Sequence, residues 1–176
     1  MKKRITYFIA LFLLLSACGY SPKSAAEANN TKAPIDIVKT YLRALESGEW
    51  TKAESLLSNN YRLRSTGDNW IKGGRKSKVL ASYQAWRKAF PRFQFKEELL
   101  ERTGNGVRLG IYYTGNHQDT LSLGRSGLEL IDSTGITMRL PVEYHTYYVE
   151  NDLIVFTRCE IPLGAGREAI IQQLTK

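Results

Sequence analysis

Residues 77–95 read SKVLASYQAWRKAFPRFQF, and this stretch contains the change of period that decides the fold. Its first part has apolar residues at three- and four-residue spacing: Val79, Tyr83, Trp86 and Phe90. That spacing predicts a helix from about Ser77 to Ala89, with Trp86 in its buried face. Pro91 cannot continue a helix, and after it Phe93 and Phe95 alternate with polar residues. We therefore expect a strand over 93–100.

Upstream of this helix the pattern is mostly helical. One predicted helix starts at Pro34, carries apolar residues at Ile35, Val38, Leu42 and Leu45, and stops at Gly48. A shorter helix is predicted over 50–58 and a short strand over 61–64, followed by a polar loop over 65–74.

Downstream of Pro91 the period stays at two. Further strands are predicted over 107–114, 136–149 and 153–161, separated by turn residues. The connection over 115–134 is longer than a hairpin and is expected to contain a short strand around 128–131, and 167–174 is expected to form a final helix or strand. Helices followed by a meander predict an α+β domain, with three N-terminal helices packed on the concave face of a curved antiparallel sheet.

Composition narrows the class of protein. The chain has 176 residues, 43% of them hydrophobic, which is enough for one domain with its own core. Two cysteines exclude a disulfide-rich scaffold and a cysteine-based zinc cluster, and two histidines argue against a histidine-built metal site. No phosphate-binding glycine loop, nucleophile elbow or metal-ligand spacing is present, so we expect neither a metal nor a cofactor.

The N-terminus has the pattern of a targeting segment. A basic start at 2–4 precedes an apolar run over 5–15, and Leu15-Ser16-Ala17-Cys18 resembles the bacterial lipobox. The resemblance implies a signal peptide over 1–17, lipid on Cys18, a flexible tether over 18–32 and a domain over 33–176. It also implies an extracytoplasmic lipoprotein anchored in the cell membrane or the outer membrane; the alternative is an uncleaved anchor helix.

Several short motifs are similar to those of SnoaL-like polyketide cyclase domains. They occur in the family's order along the chain: Ala44 to Trp50, Tyr61 to Arg64, Phe90-Pro91, Thr114-Gly115-Asn116-His117, Ser133-Thr134-Gly135 and Gln172-Gln173-Leu174. The resemblance covers residues 34–174. It implies the cone-shaped α+β fold of the nuclear-transport-factor-like superfamily, whose open end usually holds a small-molecule pocket.

The resemblance also implies which acidic and basic groups to test. Enzymes of the superfamily use a buried carboxylate with a histidine or tyrosine, and the cyclase-type aspartate lies on or near the last strand. No aspartate stands there in this chain, where Glu160 is the nearest carboxylate. Candidate catalytic residues are therefore His117 with Glu160 or Asp68. The alternative for His117 is a turn histidine bonded to the local backbone, and for Glu160 an ion pair with Arg158.

Aromatic and histidine side chains supply candidates for ligand binding. Tyr61, Trp70 and His117 are expected to border the pocket, with Trp70 acting as a lid or a plug at its mouth. His145 and Tyr147 share a strand face with Glu143 and Arg139, and this face either lines the pocket or faces water. The solvated face is favoured, because Met138, Leu140, Val142 and Tyr144 form the better apolar face, unless Pro141 reverses the parity. Cys159, in an apolar strand, is expected to be buried and structural.

Charge is concentrated in one segment. Residues 62–92 contain nine lysines and arginines and one aspartate. This segment is expected to be a solvated cationic face or to contact anionic head groups or envelope polymers, and no nucleic-acid partner is expected. A homodimer is compatible with the sequence.

The function expected from the sequence is binding of a small, mostly apolar molecule by a lipid-anchored SnoaL-like domain. One alternative is an acid/base lyase, isomerase or cyclase that needs no metal. The other is an envelope interaction module that contacts an anionic polymer, lipid or a protein.

Overall fold

The computed structural model describes residues 33–67, 70–71, 73–123 and 130–176. The predictions for the signal peptide, for Cys18, for the tether and for Asp68 lie outside these residues. Among the described residues, no helix is both long and apolar enough to cross a membrane.

Within the described ranges the helices are α1 (Pro34–Ser47), α2 (Trp50–Ser55), α3 (Lys76–Ala89) and α4 (Arg167–Leu174). The strands are β1 (Leu57–Thr66), β2 (Gly74–Arg75), β3 (Gln94–Thr103), β4 (Gly106–Asn116), β5 (Leu121–Ser122), β6 (Leu130–Ile131), β7 (Thr137–Arg139), β8 (Glu143–Glu150) and β9 (Leu153–Glu160). Helices thus precede most of the strands, as the change of period after Pro91 predicts.

One curved sheet organises the domain. Its strand order is β2–β1–β9–β8–β4–β3, and β7 also pairs with β4. All these pairings are antiparallel except that of β1 with β9, which is parallel. The short strands β5 and β6 form a separate ribbon. The α+β class and the curved sheet are confirmed.

The helices cover the concave face of the sheet. α1 contacts β4, β8 and β9, while α3 contacts β1. α1 begins with Pro34 in its first turn and ends at Gly48, whose φ of 76° is the left-handed conformation that glycine tolerates best. Trp86 of α3 is 2% exposed, so its predicted place in the core is confirmed.

Most predicted elements are observed with shifted ends. The helix predicted over 50–58 ends at Ser55, because β1 begins at Leu57 and is longer than the predicted strand. The segment 167–174 is helical. The short strand expected around 128–131 is β6.

The strand predicted over 136–149 is broken in two. β7 ends at Arg139 and β8 begins at Glu143, on either side of Pro141, which has no N–H for the ladder. Both pieces pair with β4, at different positions along it. The break reverses the parity: Met138 faces the core before it, and Glu143 and His145 do so after it. The expectation that His145 and Tyr147 face solvent is therefore wrong.

Candidate functional site

Polar side chains are buried in the concave interior of the cone, on the middle strands of the sheet. Glu143 and His145 of β8 are both 0% exposed. Tyr147 follows them on the same face, and β9 and β4 place Cys159 and Tyr113 beside His145. We call these five residues the interior cluster. It sits among apolar and aromatic core residues, where charge and unpaired polar atoms are costly.

His145 is the centre of the interior cluster, and each ring nitrogen has partners. Its Nε2 lies 3.3 Å from Glu143 Oε2 and 3.5 Å from the Tyr113 hydroxyl. Its Nδ1 lies 3.3 Å from the Tyr147 hydroxyl and 3.5 Å from Cys159 Sγ. An imidazole held at both nitrogens can pass a proton between a carboxylate on one side and hydroxyl or thiol groups on the other.

The surroundings set the protonation of His145. Burial alone lowers the pKa of its imidazole, but Cys159 and Glu143 outweigh burial and raise the pKa to about 10. At neutral pH the imidazole is therefore the charged form, paired with the Glu143 carboxylate. Such a pair is stable inside an apolar core only because each charge compensates the other.

Tyrosines surround this pair and remain neutral. Burial is the main cause that raises the pKa of Tyr41, Tyr83, Tyr113 and Tyr147 well above the usual range. Tyr61 is shifted in the same direction, and its hydroxyl lies 2.9 Å from Thr157 Oγ1. Neutral phenols at these positions are hydrogen-bond donors, so the interior presents O–H groups beside a carboxylate and an imidazolium.

Some polar atoms of the interior have no partner among the described residues. These atoms are Glu143 Oε1, the Tyr41 hydroxyl, Trp70 Nε1 and Trp86 Nε1. A buried polar group without a partner costs about 1–3 kcal/mol. Four such groups around the interior cluster are what a site for a ligand with a few polar atoms presents.

Trp70 packs into the interior as a plug. Its ring stacks on Trp86 at 4.0 Å between centroids and meets Tyr83 and Tyr113 edge-on at 5.6 and 5.5 Å. The side chain is 9% exposed. The plug alternative of the prediction for Trp70 agrees with this packing. Through Tyr113, Trp70 is one side chain removed from His145.

His117 is buried too, but its surroundings are a turn. Its Nδ1 accepts a hydrogen bond from the Thr134 backbone N–H at 3.3 Å and lies 3.2 Å from Thr134 Oγ1. The ring packs 5.1 Å from Phe90, at the end of a stack that runs through Trp86 to Trp70. Burial lowers the pKa of His117, so this imidazole is neutral. Its Nε2 then carries the proton and has no partner among the described residues.

Glu160 does not lie with His117. It alternates with the buried Cys159 on β9 and lies on the outer face of the sheet, where its carboxylate oxygens contact Arg108 at 2.8 Å and Arg158 at 3.2 Å. The structure thus shows the ion pair that was the alternative to a catalytic role, and the pairing of His117 with Glu160 is not formed.

The interior cluster is not arranged as a metal site. Glu143 and Cys159 contact opposite nitrogens of His145, so the three cannot converge on one ion. Among the described residues, no group of three or more His, Cys, Asp or Glu is placed to hold a metal.

Sequence reasoning placed His145, Tyr147, Tyr61 and Trp70 among the ligand-binding candidates, and the structure puts all four side chains in the interior. It placed Glu143 on the same strand face as His145 and Tyr147 but favoured a solvated face, so it did not predict Glu143 as the buried charge partner of His145. The available signal was Pro141: shifting the strand parity after it by one residue moves Glu143 and His145 inward together.

Comparisons with known proteins identify the fold. No family model matches the chain, and no curated protein matches its sequence. A candidate polyketide cyclase from Acidithiobacillus ferrooxidans is similar at 18% identity and a TM-score of 0.64, covering 83% of this chain and 96% of its own. A candidate SnoaL-like polyketide cyclase from a Jannaschia species is similar at 10% identity and a TM-score of 0.63, covering 81% and 91%.

A third solved structure widens the group beyond cyclases. It is an NTF2-like protein of unknown function from Burkholderia pseudomallei, similar at 11% identity and a TM-score of 0.57, covering 81% of this chain and 98% of its own. The chain therefore has the SnoaL-like, NTF2-like cone fold. At these identities the likeness concerns the fold and not the activity.

Proposed function

We propose that the domain binds a small, mostly apolar molecule that carries one or two oxygen atoms, in the concave interior next to His145. The observation that carries the proposal is the Glu143–His145 pair, fully buried and with one carboxylate oxygen, Glu143 Oε1, left without a partner among the described residues. Burying a carboxylate with one oxygen unpaired costs free energy, which supports a binding or catalytic role over a purely structural one.

The side chains around this pair suggest the class of ligand. Aromatic rings, including Trp70, Trp86 and Tyr113, pack beside this pair and offer apolar area and edge-on contacts. The polar groups of the interior are few: phenol hydroxyls, two indole N–H groups, one imidazolium and one carboxylate. A flat or cyclic molecule with a hydroxyl or carbonyl oxygen complements this set.

The location proposed for this activity is outside the cytoplasm, on a lipid-anchored protein of the cell membrane or the outer membrane. It is supported by the basic start, apolar run and lipobox-like motif that end at Cys18. Once residues 1–17 are removed, a lipid on Cys18 is the lasting membrane attachment. Cys18→Ala is expected to move the protein from the membrane fraction to the soluble fraction. If the signal peptide of this variant were cleaved and the protein still remained in the membrane fraction, the proposal of a lipid anchor on Cys18 would be refuted.

The binding proposal is tested on molecules that copurify with the full-length protein in neutral detergent. Mass spectrometry of the extracted protein is expected to show a small apolar compound, and His145→Gln is expected to reduce its amount. Lys96→Gln, an exposed position on β3, is the control and should leave the compound unchanged. Equal amounts in all three proteins, or none in the wild type at any concentration, would contradict binding at His145.

A second candidate is an acid/base lyase, isomerase or cyclase, and the linked groups around His145 favour it over other enzyme classes. Glu143 is placed to accept a proton, and the Tyr113 hydroxyl, 3.5 Å from His145 Nε2, is placed to donate one. In this version Glu143 and His145 replace the predicted pairing of His117 with Glu160 or Asp68.

Single-turnover assays on the copurified compound separate the two candidates. An enzyme converts the compound, and Glu143→Gln stops conversion while binding persists, because the amide keeps the shape but not the basicity. If the protein only binds the compound, both the wild type and Glu143→Gln leave the compound chemically unchanged. His117→Gln should leave conversion within a few-fold of wild type, since its ring is bound to the turn at Thr134.

A further inference from the structure

The outer, convex face of the sheet carries a group of arginines that strand pairing brings together from separate parts of the sequence. Strand register places Arg75 beside Arg62, and Arg64 beside Arg158. Arg62 and Arg64 are two residues apart on β1, so the two pairs lie on the same face. We call these four residues the arginine face. With strands about 4.8 Å apart, the four arginines lie in two adjacent rows.

All four arginines are accessible to a ligand, and Arg158 is the one that also contacts a carboxylate among the described residues. Arg62, Arg64 and Arg75 are exposed, and the side chain of Arg158 is 55% exposed. Among the described residues, none of the first three forms an ion pair, and Arg62 donates only to the backbone carbonyls of Asn60 and Tyr61. Among the residues that the structure describes, only the Glu160 carboxylate pairs with a member of this group, and it is shared between Arg158 and Arg108. Cations this close repel one another unless an anion lies among them.

The basic segment 62–92 divides between two sides of the domain. Its helical part belongs to α3, which packs on the concave side of the sheet, and there Lys88 already lies 3.7 Å from Asp119. Arg158 comes from outside the segment. The cationic surface is therefore smaller and denser than the sequence indicates, and it consists of arginines, whose planar groups bind phosphate oxygens in pairs.

The width of the arginine face limits what can bind there. The opposite edge of the same outer surface, on β3, carries Glu98 and Glu101, which register places on the outer side opposite Gly110 and Arg108. Both glutamates are exposed. A broad anionic surface such as a bilayer would meet these carboxylates as well as the arginines, whereas a narrow chain can follow β2, β1 and β9 alone.

We propose that the arginine face binds a narrow, phosphate-bearing polymer laid across β2, β1 and β9; that the polymer carries no bases rests on the extracytoplasmic location proposed above. The phosphates occupy the two rows, and the ring pair Tyr148–Phe156, at 5.8 Å between centroids, continues the row of Arg75 and Arg62 as an uncharged neighbour. This activity is separate from the interior cluster, because side chains on the two faces of a sheet point in opposite directions.

The test measures binding of short-chain inorganic polyphosphate to the full-length protein in neutral detergent, as a function of salt. Arg62→Gln/Arg64→Gln is expected to weaken binding about tenfold and to reduce the slope of log K against log salt by about two, one for each lost phosphate contact. The matched control is Arg92→Gln/Lys96→Gln, which removes the same charge from exposed positions outside the arginine face and should stay within about twofold of wild type. Equal weakening by both double variants would overturn the site, because binding would then follow net charge only.

Two further arms identify the occupant. A single-stranded oligonucleotide of equal charge should bind no more tightly than polyphosphate. Tighter binding of the oligonucleotide would overturn the proposal that the ligand carries no bases. Phosphatidylglycerol nanodiscs should not displace polyphosphate better than phosphatidylcholine nanodiscs do, and stronger displacement would assign the face to a membrane. Arg75→Gln gives a milder variant, expected to lower the salt slope by about one and to leave the circular dichroism melting curve unchanged.

Discussion

His145 and His117 are both buried, yet among the described residues only His145 forms an ion pair with a carboxylate. His145 lies on the middle of the sheet, between the Glu143 carboxylate and the Cys159 thiol. His117 lies in a turn, between the Thr134 backbone and the Phe90 ring. Burial lowers the pKa of both, but the neighbours of His145 reverse the effect. Burial of a histidine therefore says little about its role until its partners are known.

The aromatic stack joins the two regions, and breaking it should have the largest effect on stability. Trp86 lies at its centre, 4.0 Å from Trp70 and 4.4 Å from Phe90. Trp86→Ala is expected to cost about 3–5 kcal/mol, because it removes a large core side chain and leaves a cavity. Urea unfolding measures it, and a loss below about 1 kcal/mol would show that the stack contributes little.

The charge pair at His145 should show the next largest effect. Glu143→Gln keeps the shape but removes the charge that stabilises the imidazolium, and it is expected to cost about 1.5–3 kcal/mol in urea unfolding near neutral pH. Glu98→Gln makes the same substitution at an exposed site on β3 and should stay within about 0.5 kcal/mol of wild type. Equal small losses in both variants would mean that the charge of Glu143 does not contribute to the free energy of unfolding.

The pH dependence of stability should have opposite signs for the two histidines. His145 has a raised pKa, so its contribution is fully present below 6.5 and is lost as the pH rises toward about 10. His117 has a lowered pKa, so its contribution is present above 6.5 and is lost as the pH falls. The free energy of unfolding should thus decline between pH 6.5 and 10, and His145→Gln should flatten that decline. Rising stability over this window would contradict the assignment.

The turn around His117 should show the smallest effect. Thr134→Val removes the hydroxyl that lies 3.2 Å from His117 Nδ1 but keeps the backbone N–H that binds the same atom. The expected cost is about 0.5–1.5 kcal/mol in urea unfolding. Thr120→Val, at an exposed position, serves as the control. A loss above about 3 kcal/mol would mean that the turn is as important to the fold as the core.

The sequence predicted the fold well, because periodicity and turn residues act locally. The helix with Trp86, the stop at Pro91 and the strands after it follow from the spacing of apolar residues. The parallel pairing of β1 with β9 was beyond such reasoning, since it joins segments far apart in the chain through register alone.

The interior cluster could be predicted only in part. The sequence identified His145 as a candidate, but it did not show whether the side chain points into the core or into solvent. That depends on the number of residues in the break at Pro141, because a shift of one residue reverses the two faces of the strand. For the same reason Glu143 was placed on the face of His145 but was not predicted as its buried charge partner. The arginine face was missed because register, and not order along the chain, brings Arg158 next to Arg64.

The central claim is that His145, and not His117, is the charged centre of the interior, and NMR titration of the imidazoles tests it most directly. The chain contains two histidines, so His117→Gln and His145→Gln assign both signals without ambiguity. The account predicts that His145 is protonated at neutral pH with a pKa of about 10, and that His117 is neutral with a pKa below 6.5. A His145 that titrates at or below 6.5, unchanged by Glu143→Gln, would contradict the account.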